Sequence, residues 1–244
     1  MNQSATQEAS AQYLTHPESD AESLVTEHLN LWTSAITSKQ TTGRGSNKKI
    51  ELYGIKKLRE LILELAVRGK LVAQDPNDVP ASELLKRIAE EKATLVNDGK
   101  NKNLKNIPPV ADEEKPYDVP RGWTWSRIDE FAVIAPRNYI DDEAEVAFVP
   151  MTRVGTGYKG DHGQERKQWK EIKKGYTHFA DGDVAIAKIT PCFENSKAAI
   201  FSNLLNGVGA GTTELHVARP VTGSIKPLYI LLYLKSPQFL KVGE

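Results

Sequence analysis

The helical part of the fold is decided by residues 58–69, LRELILELAVRG. Leu58, Ile62 and Leu65 recur at spacings of three and four, which places them on one face of an α-helix. The closing glycine stands where the residue after a helix C-terminus belongs, because glycine adopts a left-handed conformation there without steric cost. The pattern therefore predicts an amphipathic helix over about Lys49–Arg68.

Shorter helical patterns flank this helix on both sides. Upstream, an apolar stripe predicts a short helix over Leu24–Ile36, and the small polar residues of Ser38–Lys49 predict a flexible connector. Downstream, the turn at Asp75–Pro80 leads into a second helix that continues to about Val96. We therefore expect two helices joined by a short turn.

Beyond Pro120 the pattern changes to short apolar runs bounded by turn residues. Strands are predicted at Trp123–Ile128, Ala147–Met151, Val184–Ile189, Ala198–Phe201 and Thr213–Ala218. Helical periodicity returns at Pro227–Leu240. The sequence thus predicts an α+β fold, in which an N-terminal helical region precedes a mixed, strand-and-loop-rich domain.

These patterns divide the chain into four parts. Residues 1–22 lack apolar periodicity, which predicts a loose polar tail. Residues 23–97 form the helical region, and residues 98–116, with their Lys-Asn pairs and prolines, predict a linker. Residues 117–244 form the second domain. The last apolar stretch ends without a capping or turn signal, so we expect a fragment of a longer protein.

The composition excludes several classes of protein. The chain has 244 residues, of which 39% are hydrophobic and 26% charged, as in globular domains. Its apolar runs are far shorter than the roughly 20 residues of a membrane span, so we expect a cytoplasmic protein without membrane contact. One cysteine and five scattered histidines predict neither a disulfide nor a metal site. The net charge is zero, so a nucleic-acid surface requires segregated basic residues.

Motifs for chemistry on DNA are missing. An adenine methyltransferase needs a glycine-rich cofactor turn and an Asn/Asp-Pro-Pro-aromatic loop that holds the flipped base. Asn106–Val110 departs from that loop because Ile107 intervenes and no aromatic residue follows. A metal-dependent nuclease needs clustered carboxylates near a lysine, whereas Asp183 and Lys188 bracket only apolar residues. We therefore predict a non-catalytic protein without a cofactor.

The richest basic stretch is Arg153–Lys174, with seven basic and three acidic residues. Basic side chains neutralise DNA phosphates, and interleaved aromatic residues and glycines suit a loop that enters a groove. The candidate DNA-binding residues here are Arg153, Lys159, Arg166, Lys167, Lys170, Lys173 and Lys174. For any one of them, a solvated loop or helix face is the alternative.

A second candidate stretch, Lys188–Lys197, follows a predicted strand and contains a turn. Asn and Ser at a loop tip can hydrogen-bond bases, but they are also common turn residues. The candidates here are Lys188, Thr190, Asn195 and Lys197. Arg137 and Asn138, which follow a proline in a predicted loop, are weaker candidates of the same kind.

Three distinctive blocks of the sequence are LRELILELAVRGKLV at 58–72, VPRGWTW at 119–125 and KITPCFEN at 188–195. Together they resemble Type I restriction-modification specificity subunits. Residues 58–72, LRELILELAVRGKLV, continued by QDPND at 74–78 and ASELL at 81–85, resemble the helical opening of these subunits. VPRGWTW at 119–125 is similar to the family's entry into a target recognition domain, and KITPCFEN at 188–195 is a further mark. The resemblance covers roughly Leu24 to the end of the chain.

The resemblance implies the N-terminal part of a specificity subunit, with the first target recognition domain at residues 117–244. In this family two such domains each read half of a split target in double-stranded DNA. Methyl transfer and cleavage belong to separate methyltransferase (modification) and restriction/translocase subunits, which dock on helices such as those at residues 23–97. This chain departs from the pattern in having one recognition domain. The alternative is a helical protein-interaction module without sequence-specific DNA binding.

Overall fold

The computed structural model describes residues 21–40, 48–97, 108–221 and 225–243. The chain forms two compact units. The first comprises Met1–Pro76 with Asp118–Pro120, and the second comprises Asn77–Tyr117 with Arg121–Glu244. Helices dominate the first unit and two four-stranded sheets lie in the second, so the predicted α+β class is confirmed. Residues 1–20 of the predicted tail and 98–107 of the predicted linker lie outside the described residues.

The first unit packs a long helix against two short ones. Its elements are α1 (Ala21–Glu27), α2 (Leu29–Ser34), β1 (Thr37–Gln40), β2 (Lys48–Glu51) and α3 (Tyr53–Val67). Leu58, Leu61 and Leu65 of α3 pack around the buried Trp32 of α2. A Cβ on Gly54 would lie 2.0 Å from the Trp32 carbonyl oxygen, so only glycine permits this approach of α3 to α2.

Three sequence predictions in the first unit are wrong in detail. The helix predicted at Leu24–Ile36 is two helices that meet at His28, and Ala21 and Glu22 of the predicted tail belong to α1. The connector predicted at Ser38–Lys49 contributes strands instead, because β1 pairs antiparallel with β2. The long helix consequently begins at Tyr53. Periodicity missed this hairpin because its strands carry mostly polar side chains.

Helix α4 (Ala81–Asn97) belongs to the second unit, whereas the sequence prediction grouped it with the helix before it. Its Ile88 is buried, and the Lys92 ammonium donates to the carbonyl oxygens of Asp129, Glu130 (3.3 Å) and Ala132 (3.4 Å). Asp129 and Glu130 belong to the short helix α5 (Ile128–Phe131), and Ala132 directly follows it. The functional roles of the predicted domains stay predictions.

The second unit has a helix–sheet–sheet–helix architecture. Its further elements are β3 (Ala132–Ile134), β4 (Glu145–Val149), β5 (Glu165–Gln168), α6 (Trp169–Ile172), β6 (Thr177–Ala180), β7 (Val184–Ala187), β8 (Ala198–Ile200), β9 (Val208–Gly211), β10 (Leu215–Pro220), α7 (Pro227–Leu234) and α8 (Pro237–Gly243). One sheet has the order β3-β10-β7-β8, all antiparallel. The other has the order β5-β4-β9-β6, in which β4 and β9 run parallel.

The main core of the second unit combines residues of both sheets. Phe179 of β6 stacks on Phe201 with 3.7 Å between the ring centroids, among small residues of β4, β7 and β10. A Cβ on Gly209 of β9 would lie 2.7 Å from the Phe179 ring, so a glycine leaves room for that ring. Helix α7 covers the outer face of the first sheet through Leu231, and α6 covers that of the second through Trp169.

Four predicted strands of this unit are confirmed within a few residues as β4, β7, β8 and β10. The strand predicted at Trp123–Ile128 is wrong. That segment pairs with no strand; instead, the Trp125 indole N–H donates to the Tyr117 carbonyl at 3.2 Å, and Ile128 begins α5. The helix predicted at Pro227–Leu240 is two helices, because the chain turns at Lys235 and Ser236 before Pro237.

Candidate DNA interface

An ion pair with a buried carboxylate links strand β10 of the second unit to the turn between β6 and β7. Asp183 is 1% exposed, and Arg219 of β10 donates to both of its carboxylate oxygens at 2.8 Å. The Ala180 backbone N–H also donates to Asp183, at 2.8 Å. Burial raises the pKa of the Asp183 carboxyl, and the Arg219 guanidinium opposes that rise. Both oxygens of the buried carboxylate are thus hydrogen-bonded, which is what a buried charge requires.

Arg219 also holds the loop between β3 and β4 through Asn138. Its guanidinium donates to the Asn138 side-chain oxygen at 3.0 Å, and the Asn138 side-chain nitrogen donates to the Phe179 carbonyl at 2.7 Å. Because both ends of the side-chain amide are engaged inside the fold, Asn138 serves as a structural anchor, and its predicted contact with DNA is not supported.

His178 ties the same loop to the turn after α6. Its Nδ1 accepts a hydrogen bond from the Asn138 backbone N–H at 3.2 Å, and its Nε2 donates to the Lys173 carbonyl at 3.0 Å. Its ring centroid lies 4.6 Å from that of Trp169. Burial lowers the pKa of His178, so the ring is neutral and its hydrogen bonds hold both segments in place.

These two segments border an open cleft of about 680 Å³. Four of the predicted DNA-binding residues line it together: Arg137, Asn138, Lys173 and Lys174. The buried rings of Trp169 and His178 also line the cleft, and so does Tyr139, whose side chain is exposed. Sequence analysis overlooked Tyr139, although its place beside Arg137 and Asn138 in a predicted loop was the signal that could have found it.

Much of the predicted basic stretch is neutralised by carboxylates. The ion pairs are Arg153–Glu165 (3.0 Å), Arg166–Glu145 (2.9 Å), Lys170–Glu143 (2.8 Å) and Lys173–Asp142 (2.5 Å). Pairing of β4 with β5 brings the acidic segment 141–145 beside the lysines, so the local positive excess is smaller than the sequence count indicated. These pairs are exposed, however, and water screens them, so opening one costs little.

The other cations of this stretch differ in their surroundings. The Lys167 ammonium lies 5.1 Å from the centroid of the Phe148 ring. Lys159 and Lys174 are exposed, and neither side chain has an ion pair or hydrogen bond with a described residue. A lysine in that setting can meet a phosphate without giving up another partner.

In the stretch Lys188–Lys197, some side chains build the turn and others face solvent. Asn195 donates to the Pro191 carbonyl at 2.9 Å, and the Lys197 ammonium donates to the Met151 carbonyl at 2.8 Å. These bonds give both residues a structural role. Lys188 and Thr190 are exposed, and the Thr190–Pro191 peptide is cis.

A buried lysine that sequence analysis missed joins the two candidate stretches. Lys235, 4% exposed, donates to the carbonyl oxygens of Thr156 (3.2 Å) and Ser196. Burial lowers the pKa of Lys235 to about 8. The Ile200 N–H also donates to the Gly160 carbonyl at 3.0 Å, so the loop that carries Lys159 lies beside the Lys188–Lys197 stretch. The only sequence signal for Lys235 is its position as a charged residue directly after an apolar helix.

No group of three or more His, Cys, Asp or Glu within the described ranges is arranged to hold a metal ion. The helices described there include none that is long and apolar enough to cross a membrane.

Comparison with known proteins finds two similar curated proteins. No family model matches the chain. The Type I restriction enzyme EcoAI specificity subunit of Escherichia coli is 62% identical over 224 residues, and the EcoEI specificity subunit of the same organism is 60% identical over 224 residues. The chain is therefore similar to part of a Type I restriction enzyme specificity subunit. The matches cover 91% of this chain and 38% of each relative.

Two solved structures are similar to this chain. One, described as the structural basis of complex assembly and conformational transition of the type I R-M system, has a TM-score of 0.41 and 18% identity, and covers 50% of this chain and 31% of that one. The other, the HsdS subunit from Thermoanaerobacter tengcongensis, has a TM-score of 0.35 and 16% identity. That match covers 86% of this chain and 51% of the HsdS chain. Because these TM-scores are low, the similarity to specificity subunits rests on the sequence matches.

Proposed function

We propose that this chain reads one half of a bipartite target in double-stranded DNA, as part of a Type I specificity subunit. The observation that carries the proposal is the 62% identity, over 91% of the chain, to a protein named for specificity in a Type I restriction enzyme. We further propose that the chain is non-catalytic, and that partner methyltransferase and restriction subunits modify and cleave the DNA. No observation favours the alternative of an interaction module without DNA binding.

In this proposal the second unit binds the phosphates through exposed cations on anchored loops. Arg137, Lys159, Lys174 and Lys188 are exposed and have no side-chain carboxylate partner among the described residues. The lysines paired with Glu143 and Asp142 can exchange a carboxylate for a phosphate at little cost, since their pairs are open to water. Phosphate contacts of this kind supply affinity and fix the orientation of the protein on DNA.

We propose that the first unit docks partner subunits. Leu29, Ile36 and Leu52 are each more than half exposed in a unit whose core is small. Contact with a partner subunit would remove these apolar side chains from water, which is favourable.

Salt-dependent binding to random-sequence duplex DNA tests the DNA-reading proposal. Lys174→Glu and Lys188→Glu each remove one proposed phosphate contact, so the slope of log affinity against log salt should shrink by about one for each. Affinity should fall equally for all sequences. Lys56→Glu makes the same charge change on the exposed side of α3 and serves as the control. If all three variants bind alike, the proposed phosphate surface is wrong.

A domain exchange tests the half-site. Residues 117–244 are replaced by the matching region of another specificity subunit within the complete restriction complex, and the methylated sites are mapped. One half of the target should change, and the other half and the spacing should remain. Changes in both halves, or in neither, contradict the proposal.

A further inference from the structure

The loop between β3 and β4 presents one aromatic side chain almost entirely to solvent. Tyr139 is 90% exposed, the largest exposed fraction among the large apolar and aromatic residues that the structure describes. Four of the other five tyrosines of the second unit have aromatic neighbours: Tyr117 contacts Trp125, Tyr176 contacts Phe148, Tyr229 contacts Trp123, and Tyr233 contacts Phe239. The fifth, Tyr158, is 40% exposed. Tyr139 has no such ring contact within the described residues. Nothing in the fold of this unit therefore accounts for an aromatic residue at this position.

The backbone on both sides of Tyr139 is nevertheless held firmly. Before it, Asn138 is bound through its side-chain amide to Arg219 and to the Phe179 carbonyl. After it, Ile140 packs against the cluster that contains Trp169, and the Asp142 carbonyl accepts the Lys170 backbone N–H at 2.9 Å. The Tyr139 side chain is thus exposed on a loop whose backbone is already ordered. A ligand that packs against it does not incur the entropy cost of ordering that backbone.

The charges around this ring fit a polyanion. Arg137, two residues before Tyr139, and Lys174, which lines the same cleft, are both exposed and lack a carboxylate partner among the described residues. Of the two carboxylates in the cleft, Asp142 is paired with Lys173, and Asp141 accepts the Glu143 backbone N–H at 2.8 Å, so the three cations Arg137, Lys173 and Lys174 outnumber them. An exposed ring that shares a cleft with unpaired cations matches duplex DNA, in which phosphates flank a groove where a protruding side chain can pack on a base step.

We propose that Tyr139 is a specificity-determining residue, whose ring packs against a base step of the half-site while Arg137 and Lys174 bind the flanking phosphates. This inference rests on the proposed DNA-reading function. According to this inference, Tyr139 distinguishes DNA sequences, whereas Arg137 and Lys174 bind phosphates of any sequence. Asn138, a weaker candidate for DNA binding by its sequence, instead positions the tyrosine beside it.

The test uses the 244-residue chain and two duplex probes. One probe is selected by the wild-type chain from a random duplex pool, and the other is a random-sequence duplex of equal length. Tyr139→Ala should reduce the preference for the selected probe on the order of tenfold, as expected when an aromatic stack on a base is lost. Its affinity for the random duplex should change little. Tyr139→Phe should retain the preference, because the ring and not the hydroxyl makes the contact.

Arg137→Ala is the matched variant for phosphate binding and should weaken both probes equally. Thermal unfolding of Tyr139→Ala should match that of the wild-type chain, because the side chain is exposed. Wild-type preference in Tyr139→Ala, alongside weaker binding by Arg137→Ala, would overturn the role of Tyr139 and leave the DNA-reading proposal standing. If the wild-type chain shows neither salt-dependent binding nor an enriched sequence, the proposed function fails, and this inference fails with it.

Discussion

The pair Arg219–Asp183 and the pair Lys170–Glu143 join the same kinds of group in two regions of the second unit, and burial gives them different roles. Asp183 is 1% exposed and its partner Arg219 is 32% exposed, whereas the side chains of Lys170 and Glu143 are 45% and 66% exposed. A buried charge that loses its partner is left without solvation, but water replaces the partner of an exposed one. Arg219–Asp183 therefore holds the loop between β3 and β4 in place, whereas Lys170 can exchange Glu143 for another anion.

The sharpest test of this contrast is Arg219→Met, which leaves the Asp183 carboxylate buried without its partner. The free energy of unfolding in urea should fall by about 3–5 kcal/mol. The double variant Arg219→Met/Asp183→Asn should recover part of the loss, because no buried charge remains and the amide oxygen can still accept from Ala180. A double variant less stable than Arg219→Met alone would contradict this explanation.

The contrast extends to two lysines of helix α4. Lys92 is 9% exposed and donates to three carbonyls near α5, whereas Lys86 is exposed and pairs with Glu83. Lys92→Met keeps the apolar stem but leaves these carbonyls without a donor, which should cost about 1–3 kcal/mol in the free energy of unfolding. Lys86→Met, measured in the same urea titration, should change stability far less. Equal losses would show that burial does not separate the two roles.

The sequence predicted the elements whose own side chains carry a pattern. Helix α3 has its leucine stripe, and β7 reads as an unbroken apolar run because both of its faces are covered. Strands β5 (ERKQ) and β9 (VGAG) lack such a pattern, since their neighbours in the sheet, and not their own side chains, make them strands. Local periodicity does not reveal these partners.

The candidate site shows the same limit. Basic residues were visible in the sequence, but the strand pairing that brings Glu143 and Glu145 beside Lys170 and Arg166 was not. Asn138 has the residue type of a base reader, yet Arg219, far away in sequence, draws its amide into the fold. Residue type alone therefore predicts a candidate DNA-binding region, but it does not show which of its side chains are engaged inside the fold.

Lys235 tests the interior side of the comparison through pH. Its folded pKa of about 8 lies below the ordinary value of 10.5, so between these pH values the unfolded chain binds more protons than the folded one. Stability contributed by this group should therefore rise as pH increases from about 8 towards 10. The difference in unfolding free energy between wild type and Lys235→Met should follow that rise, because other titrating groups are common to both. Parallel curves for the two proteins would contradict a buried, charged lysine.

The smallest expected effect belongs to Glu143→Gln, which removes the partner of Lys170 on the surface. The Glu143 carboxylate raises the pKa of Lys170, and without it the lysine stays charged because water solvates it. Unfolding stability should hardly change, whereas affinity for random duplex DNA should rise a few-fold, since one negative charge is gone and one ammonium is released for a phosphate. Lys170→Met is the counterpart and should lower affinity. If Glu143→Gln and Lys170→Met both weaken DNA binding, the ion pair has a structural role like that of Arg219–Asp183. Lys170 would then not exchange Glu143 for a phosphate, although the pair is exposed.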